Sequence, residues 1–219
     1  MTVTAAVFDM DGIIFDTERL SYEAFARACE EVGREASREA FLASIGLPRA
    51  SIPPKLTEIL GADFPATQVL DRSYELLEEA VERHGPPVMD GTAEILGALE
   101  ERGIPAVVAT STETDTARRY LATAALLERF AGVVGGDQVT HGKPAPDIFL
   151  RAADALAVPP AAVLVFEDSE NGVRAGHAAG MRVVMVPDFI EPSAELRSLS
   201  FAVLSSLHEA AQRVDELLA

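Results

Sequence analysis

The chain has 219 residues, 48% hydrophobic and 24% charged, an ordinary globular composition that suits a core domain with a smaller insertion and excludes a disordered chain. With 18 basic against 35 acidic residues its net charge is −17, which argues against a nucleic acid polymer or an anionic membrane as partner. A small phosphorylated metabolite stays compatible, because local cations and a metal can override the overall sign, and the lack of a long apolar run or basic leader sets the expectation of a cytoplasmic protein with no membrane span.

The first predicted element is a strand over Thr4 to Phe8, which runs into Asp9-Met10-Asp11-Gly12. Alternate residues at a strand mouth project to the same side, so Asp9 and Asp11 can converge on one reacting group. Gly12 permits a sharp turn that brings main-chain N–H groups close to an anion. Two carboxylates about 4 Å apart repel by roughly 4 kcal/mol at an effective dielectric of about 20. A hard divalent cation or a bound proton relieves that repulsion, and both have chemical uses. Taken alone, the same four residues also suit a helix cap or a turn.

After Asp16 the period becomes helical, with Phe25, Ala28, Cys29 and Val32 on one face and Gly33 as a stop. Cys29, the single cysteine, reads as a core residue; no internal disulfide can form, which fits a reducing compartment. Further helices are expected over Ser37 to Ser44, Ile52 to Leu60 and Ala66 to Arg83, and Gly85-Pro86-Pro87 closes the block. From there helices and short valine-rich strands alternate. The helices are Thr92 to Arg102, Thr114 to Leu126, Asp147 to Leu156 and Asn171 to Gly180. The strands are Ile104 to Ala109, Gly132 to Val134, Val163 to Phe166 and Val183 to Val186, with a last edge strand at Phe201 to Leu204 and a closing helix. The alternation predicts an α/β fold: a Rossmann-like, three-layer core domain built on a parallel sheet from residues 1–16 and 87–219, with an inserted all-α cap domain at 17–86.

Ligands of such sheets sit at the carboxyl ends of the strands. Those ends carry Asp9 and Asp11, then Thr110-Ser111-Thr112, then Asp137 and His141-Gly142-Lys143-Pro144, then Glu167-Asp168-Ser169. Carboxylates, hydroxyls and one lysine are the parts of metal-assisted phosphoryl transfer. Each has a plainer use: Thr110 as a helix cap, Lys143 as a surface charge, Asp147 in the first turn of a helix. Pro144 and Pro146 argue that the Lys143 loop is rigid. His84, His177 and His208 lack ligand spacing, and zinc is not indicated.

In this order the residues resemble the motifs of the haloacid dehalogenase superfamily with a small helical cap. Asp9-Met10-Asp11-Gly12 is similar to its first motif, Thr110 to the second, Lys143 to the third and Glu167-Asp168 to the fourth. The resemblance implies that Asp9 is the nucleophile and Asp11 the general acid–base. It implies Mg²⁺ held by Asp9, the Asp11 carbonyl and Asp168, with Glu167 as a further ligand or an outer partner. Thr110 and Lys143 then serve the transferring group. The carboxylate at Asp11 favours phosphoryl over carbon–halogen chemistry.

Substrate choice then falls to the cap and its hinge, through Thr17, Arg49 beside Gly46-Leu47-Pro48, and Lys55, with Gly12 and Ser111 contacting substrate from the core. Two branches are similar, pseudouridine-5'-phosphatase and β-phosphoglucomutase. The second is disfavoured because the histidine expected near Leu20-Ser21 is missing and an expected Arg-Lys pair reads Arg72-Ser73. The expectation is a phosphatase of small sugar or nucleoside monophosphates, monomeric or homodimeric, with a sugar-phosphate mutase as the alternative.

Overall fold

The computed structural model describes residues 2–45, 47, 49–188 and 191–219, and the chain divides into two compact units, residues 17–86 and residues 1–16 with 87–219. The smaller unit is helical: α1 (Thr17–Glu31), α2 (Arg38–Leu42), α3 (Ile52–Leu60) and α4 (Ala66–His84). Its core gathers Phe25, Ala28, Cys29, Phe41, Leu56, Val69 and Leu76, the apolar stripes of helices too short to hold their shape alone. Ser37 caps α2 by accepting from the Ala40 N–H. Arg72 of α4 donates to Glu31, Glu75 and Glu79, tying α4 to the end of α1.

The larger unit contains β1 (Ala5–Phe8), α5 (Thr92–Glu100), β2 (Ala106–Ala109), α6 (Thr114–Thr123), β3 (Gly132–Val134), α7 (Asp147–Leu156), β4 (Val163–Glu167), α8 (Glu170–Ala178), β5 (Arg182–Met185), α9 (Ala194–Leu199), β6 (Ala202–Val203), α10 (Leu207–Gln212) and α11 (Val214–Leu218). The six strands form one parallel sheet in the order β3-β2-β1-β4-β5-β6. The chain builds outward from β1 to β3, then returns to the other side of β1 for β4. That reversal makes the carboxyl ends of β1 and β4 the topological switch point, where such sheets open a crevice.

Side chains alternate across the sheet. Val7, Val107, Val163, Val165 and Val183 share a core with Ile148 and Phe149 of α7 and Val173 of α8. Phe8, on the other parity, stacks on Phe166 with ring centroids 4.6 Å apart and meets Phe130 edge-on at 5.9 Å. Burial on both faces is why these strands read as continuous apolar runs rather than alternating ones.

Several expected bounds differ, most of them by one or two residues. The strand predicted from Ile104 starts at Ala106, because the Ile104 N–H is held by the Leu99 carbonyl at the end of α5. The helix predicted to Leu126 stops at Thr123, two residues before Ala125 turns left-handed at φ 56°. The closing helix is interrupted at Arg213. An additional helix, α9, follows Ser193, whose hydroxyl accepts from the Leu196 N–H.

Candidate active site

Strand register brings the acidic residues together. Phe8 pairs with Phe166, and the Asp9 N–H donates to the Phe166 carbonyl at 2.9 Å, so Asp9 and Glu167 stand at the same level on neighbouring strands. Both share the parity of Val7 and Val165 and point to the face covered by α7 and α8. The loop entering α7 delivers Lys143 to that spot. Its Nζ donates to Asp9 Oδ1 at 2.6 Å and to Glu167 Oε1 at 2.6 Å, and lies 4.9 Å from the centre of the Phe149 ring.

Glu167 is fully buried and its other oxygen is also engaged, accepting from the Ser169 N–H at 2.8 Å and the Ser169 hydroxyl at 3.0 Å. Ser169 in turn caps α8 by accepting from the Gly172 N–H. Asp168, one residue beyond the strand, faces Gly12. A Cβ on Gly12 would lie 2.3 Å from Asp168 Oδ2, and its φ of 78° is one that glycine tolerates best. The turn after β1 is closed by bonds from Gly12 N–H to the Phe15 carbonyl and from Ile14 and Phe15 N–H to the Met10 carbonyl.

Asp11 is reached from β2. Thr112 Oγ1 donates to Asp11 Oδ2 at 3.0 Å, a contact that reading the sequence missed. Thr110 is buried at the end of β2; its N–H donates to the Val134 carbonyl and its hydroxyl accepts from the Thr112 N–H at 3.1 Å. Ser111 is exposed beside it. Asp137 accepts from both the N–H and hydroxyl of Thr114 at 2.7 Å, which fixes the start of α6 and holds the Asp137 carboxyl below its usual range. His141 pairs with Asp147 at 3.0 Å, across the loop that carries Lys143.

In the helical unit Thr17 is buried at the start of α1. Arg49 donates to Asp71 at 3.0 Å and its guanidinium lies 4.2 Å from the Tyr74 ring centre, while Lys55 pairs with Glu58. Gly46 and Pro48, expected beside Arg49, lie outside the described residues.

The charge balance of the cluster is unfavourable as it stands. Burial, reinforced by Glu167 and Asp11, pushes Asp9 up to about 8 against the opposing pull of Lys143. Burial alone would lower Lys143, but the Asp9 and Glu167 carboxylates outweigh it and hold it above its usual range. Asp9 is thus raised chiefly by burial and Lys143 by its two carboxylate partners, in a cluster where several acidic groups share one ammonium. Asp9, Glu167 and Asp168 can each place a carboxylate oxygen within 4.8 Å of the others. A hard divalent cation fits this all-oxygen donor set, and the space beside Asp168 exists because residue 12 has no side chain.

The family model described as haloacid dehalogenase-like hydrolase matches residues 6–186. A Drosophila melanogaster protein named "Probable pseudouridine-5'-phosphatase" is 38% identical over 223 residues, covering 94% of this chain and 90% of that one. A beta-phosphoglucomutase from Mycobacterium bovis is 32% identical over 216 residues, covering 84% and 80%. The crystal structure of a conserved haloacid dehalogenase-like protein from Agrobacterium tumefaciens matches with a TM-score of 0.83 at 25% identity, covering 99% of this chain and 100% of that one. The chain belongs to the haloacid dehalogenase-like hydrolase family.

Proposed function

We propose that the protein is a Mg²⁺-dependent phosphatase that hydrolyses small phosphate monoesters, sugar or nucleoside monophosphates, through a phosphorylated Asp9. The observation that carries this reading is the Lys143 ammonium set 2.6 Å from Asp9 Oδ1 at the mouth of the central strands, with Asp11, Thr110 and Asp168 at the adjoining strand ends.

An Asp9 oxygen attacks phosphorus while the bond to the leaving oxygen breaks. That bond's electron pair stays on the leaving oxygen, which takes a proton from Asp11 and departs as an alcohol. Asp11, now a carboxylate, removes a proton from water; the hydroxide formed attacks phosphorus, the bond to Asp9 breaks, and inorganic phosphate leaves. Thr110 donates to the transferring group, and Lys143 offsets the charge shared by Asp9 and the phosphoryl oxygens. Mg²⁺ would be held by Asp9, Asp168 and the Asp11 carbonyl and supplies Lewis-acid stabilisation of the phosphoryl oxygens. Glu167, with both oxygens committed to Lys143 and Ser169, acts as an outer partner that holds Lys143 in place.

Water as the acceptor, rather than a second sugar hydroxyl, is supported by the helical unit. Arg72 is committed to glutamates, and the Ser73 hydroxyl donates to the Val69 carbonyl at 2.6 Å, so neither position offers the Arg-Lys pair of the mutase branch. The test is phosphate release from a panel of sugar and nucleoside monophosphates, with Mg²⁺ or chelator, for the native protein and Asp9→Asn. Release that needs both Mg²⁺ and Asp9 is the expected result. Conversion of β-glucose 1-phosphate to its isomer in the presence of a bisphosphate, without phosphate release, overturns it.

A further inference from the structure

Thr112 meets Asp11 and is itself held from two sides. Its hydroxyl donates to Asp11 Oδ2 at 3.0 Å, its N–H donates to the Thr110 hydroxyl at 3.1 Å, and its carbonyl accepts from the Gly136 N–H at 3.0 Å. A Cβ on Gly136 would lie 2.4 Å from the Ser111 carbonyl oxygen, so the backbone segment carrying Thr112 is packed against the chain beyond β3. A β-branched side chain on a backbone fixed in this way has few rotamers open to it. The hydroxyl is therefore a fixed point, and it grips a carboxylate in the turn that follows a different strand, β1.

We infer that Thr112 is a positioning residue for proton transfer: by donating to Oδ2 of Asp11 it sets the rotamer of that carboxyl. The inference rests on the proposed role of Asp11 as general acid–base. A donor fixed on one carboxyl oxygen sets the plane of the carboxyl, and with it the direction in which Asp11 gives up or takes up a proton. In the first step the proton moves from the Asp11 carboxyl to the leaving oxygen as its bond to phosphorus breaks. In the second step the same carboxyl group, now ionised, receives a proton from water. Thr112 keeps its own proton throughout.

A positioned acid matters in proportion to how much the leaving group needs a proton. An alkyl phosphate leaves as a strongly basic alkoxide and depends on Asp11; p-nitrophenyl phosphate leaves as a stable phenolate and depends on it far less. The experiment compares native protein, Thr112→Val and Thr112→Ser on the best alkyl substrate of the panel and on p-nitrophenyl phosphate, with Mg²⁺ in excess. Thr112→Val should lower kcat on the alkyl ester about tenfold to a hundredfold, a part of the roughly 10²–10⁴ that general acid catalysis supplies, with KM little changed. The loss on p-nitrophenyl phosphate should stay within about threefold, and Thr112→Ser should restore most of the alkyl activity. Thermal unfolding of each variant shows that the fold is retained. Equal losses on both substrates, no loss on either, or no rescue by serine overturns the inference while the phosphatase reading stands. A native protein that releases phosphate from neither ester overturns both.

Discussion

A Cβ on Gly172 would lie 1.7 Å from Oε1 of Glu167, so the first turns of α8 can pass the end of β4 only where residue 172 has no side chain. The carboxylate cannot swing aside. It is fully buried, one oxygen accepts from Lys143, and the other accepts from the Ser169 N–H and hydroxyl. Gly172→Ala should therefore cost about 1–3 kcal/mol of stability through overpacking and displace Lys143 from Asp9. Denaturant unfolding and phosphate release measured together check this. Gly142→Ala is the contrast: nothing lies within 4 Å of its added Cβ, and a change within about 0.5 kcal/mol is expected although the residue adjoins Lys143.

Lys143 stands between two buried carboxylates, with its side chain 7% exposed. Removing the ammonium in Lys143→Met leaves Asp9 and Glu167 facing each other without a counter-charge, and loss of one partner of a buried pair costs about 3–5 kcal/mol. Arginine should not rescue, because a planar guanidinium does not fit where two oxygens lie 2.6 Å from a single nitrogen. The deficit should grow as pH rises, since the ionised carboxylates are what lose their partner. Unfolding curves for Lys143→Met and Lys143→Arg across a pH series decide the matter.

Much of this triangle was legible in the chain. Valine-rich runs gave the parallel sheet, and the residues just beyond each run gave Asp9, Thr110, Lys143 and Asp168 as candidates. Strand parity carried more information than was drawn from it. Asp9 follows Val7 and Glu167 follows Val165 at period two, so pairing of the first and fourth strands already sets both carboxylates on one face, where a single cation can bridge them. Two features could not be read. Thr110-Ser111-Thr112 offers three consecutive hydroxyls, and only the turn after β2 determines that Thr112 meets Asp11. Gly142 and Gly172 look alike in sequence, yet one borders open space and the other a buried carboxylate, a distinction made by tertiary packing alone.

Asp9 links the proposed metal site to pH. Burial above all, then Glu167 and Asp11, raise it to about 8, against about 3.9 for an unfolded aspartate. A group raised in this way favours the fold while protonated, so its contribution is full below the unfolded value and is lost as pH climbs through about 8. Mg²⁺ binds the ionised form and must displace that proton. Excess Mg²⁺ should therefore raise Tm more at about pH 8 than at about pH 6, relative to chelator, and Asp9→Asn should flatten the difference. A Tm shift independent of pH in the native protein would show that protons and Mg²⁺ do not compete at Asp9.

Cys29 offers a probe of the helical unit by itself. The thiol is fully buried on α1 among Phe25, Ala28 and Val69, and burial pushes it up to about 11. At pH 8 the thiolate is then about one part in a thousand, and attack on a disulfide reagent requires both thiolate and access. The native protein should react with an aromatic disulfide no faster than its helical unit opens, and completely once denatured. The sign for stability follows from the same shift. The unfolded thiol ionises near about pH 8.5 while the folded one does not, so Cys29 draws stability down as pH rises from there toward about 11, and Cys29→Ala should remove that slope after its own packing loss. Rapid labelling of the native protein at pH 8, at a rate matching a free thiol, would contradict a closed core around α1 and α4.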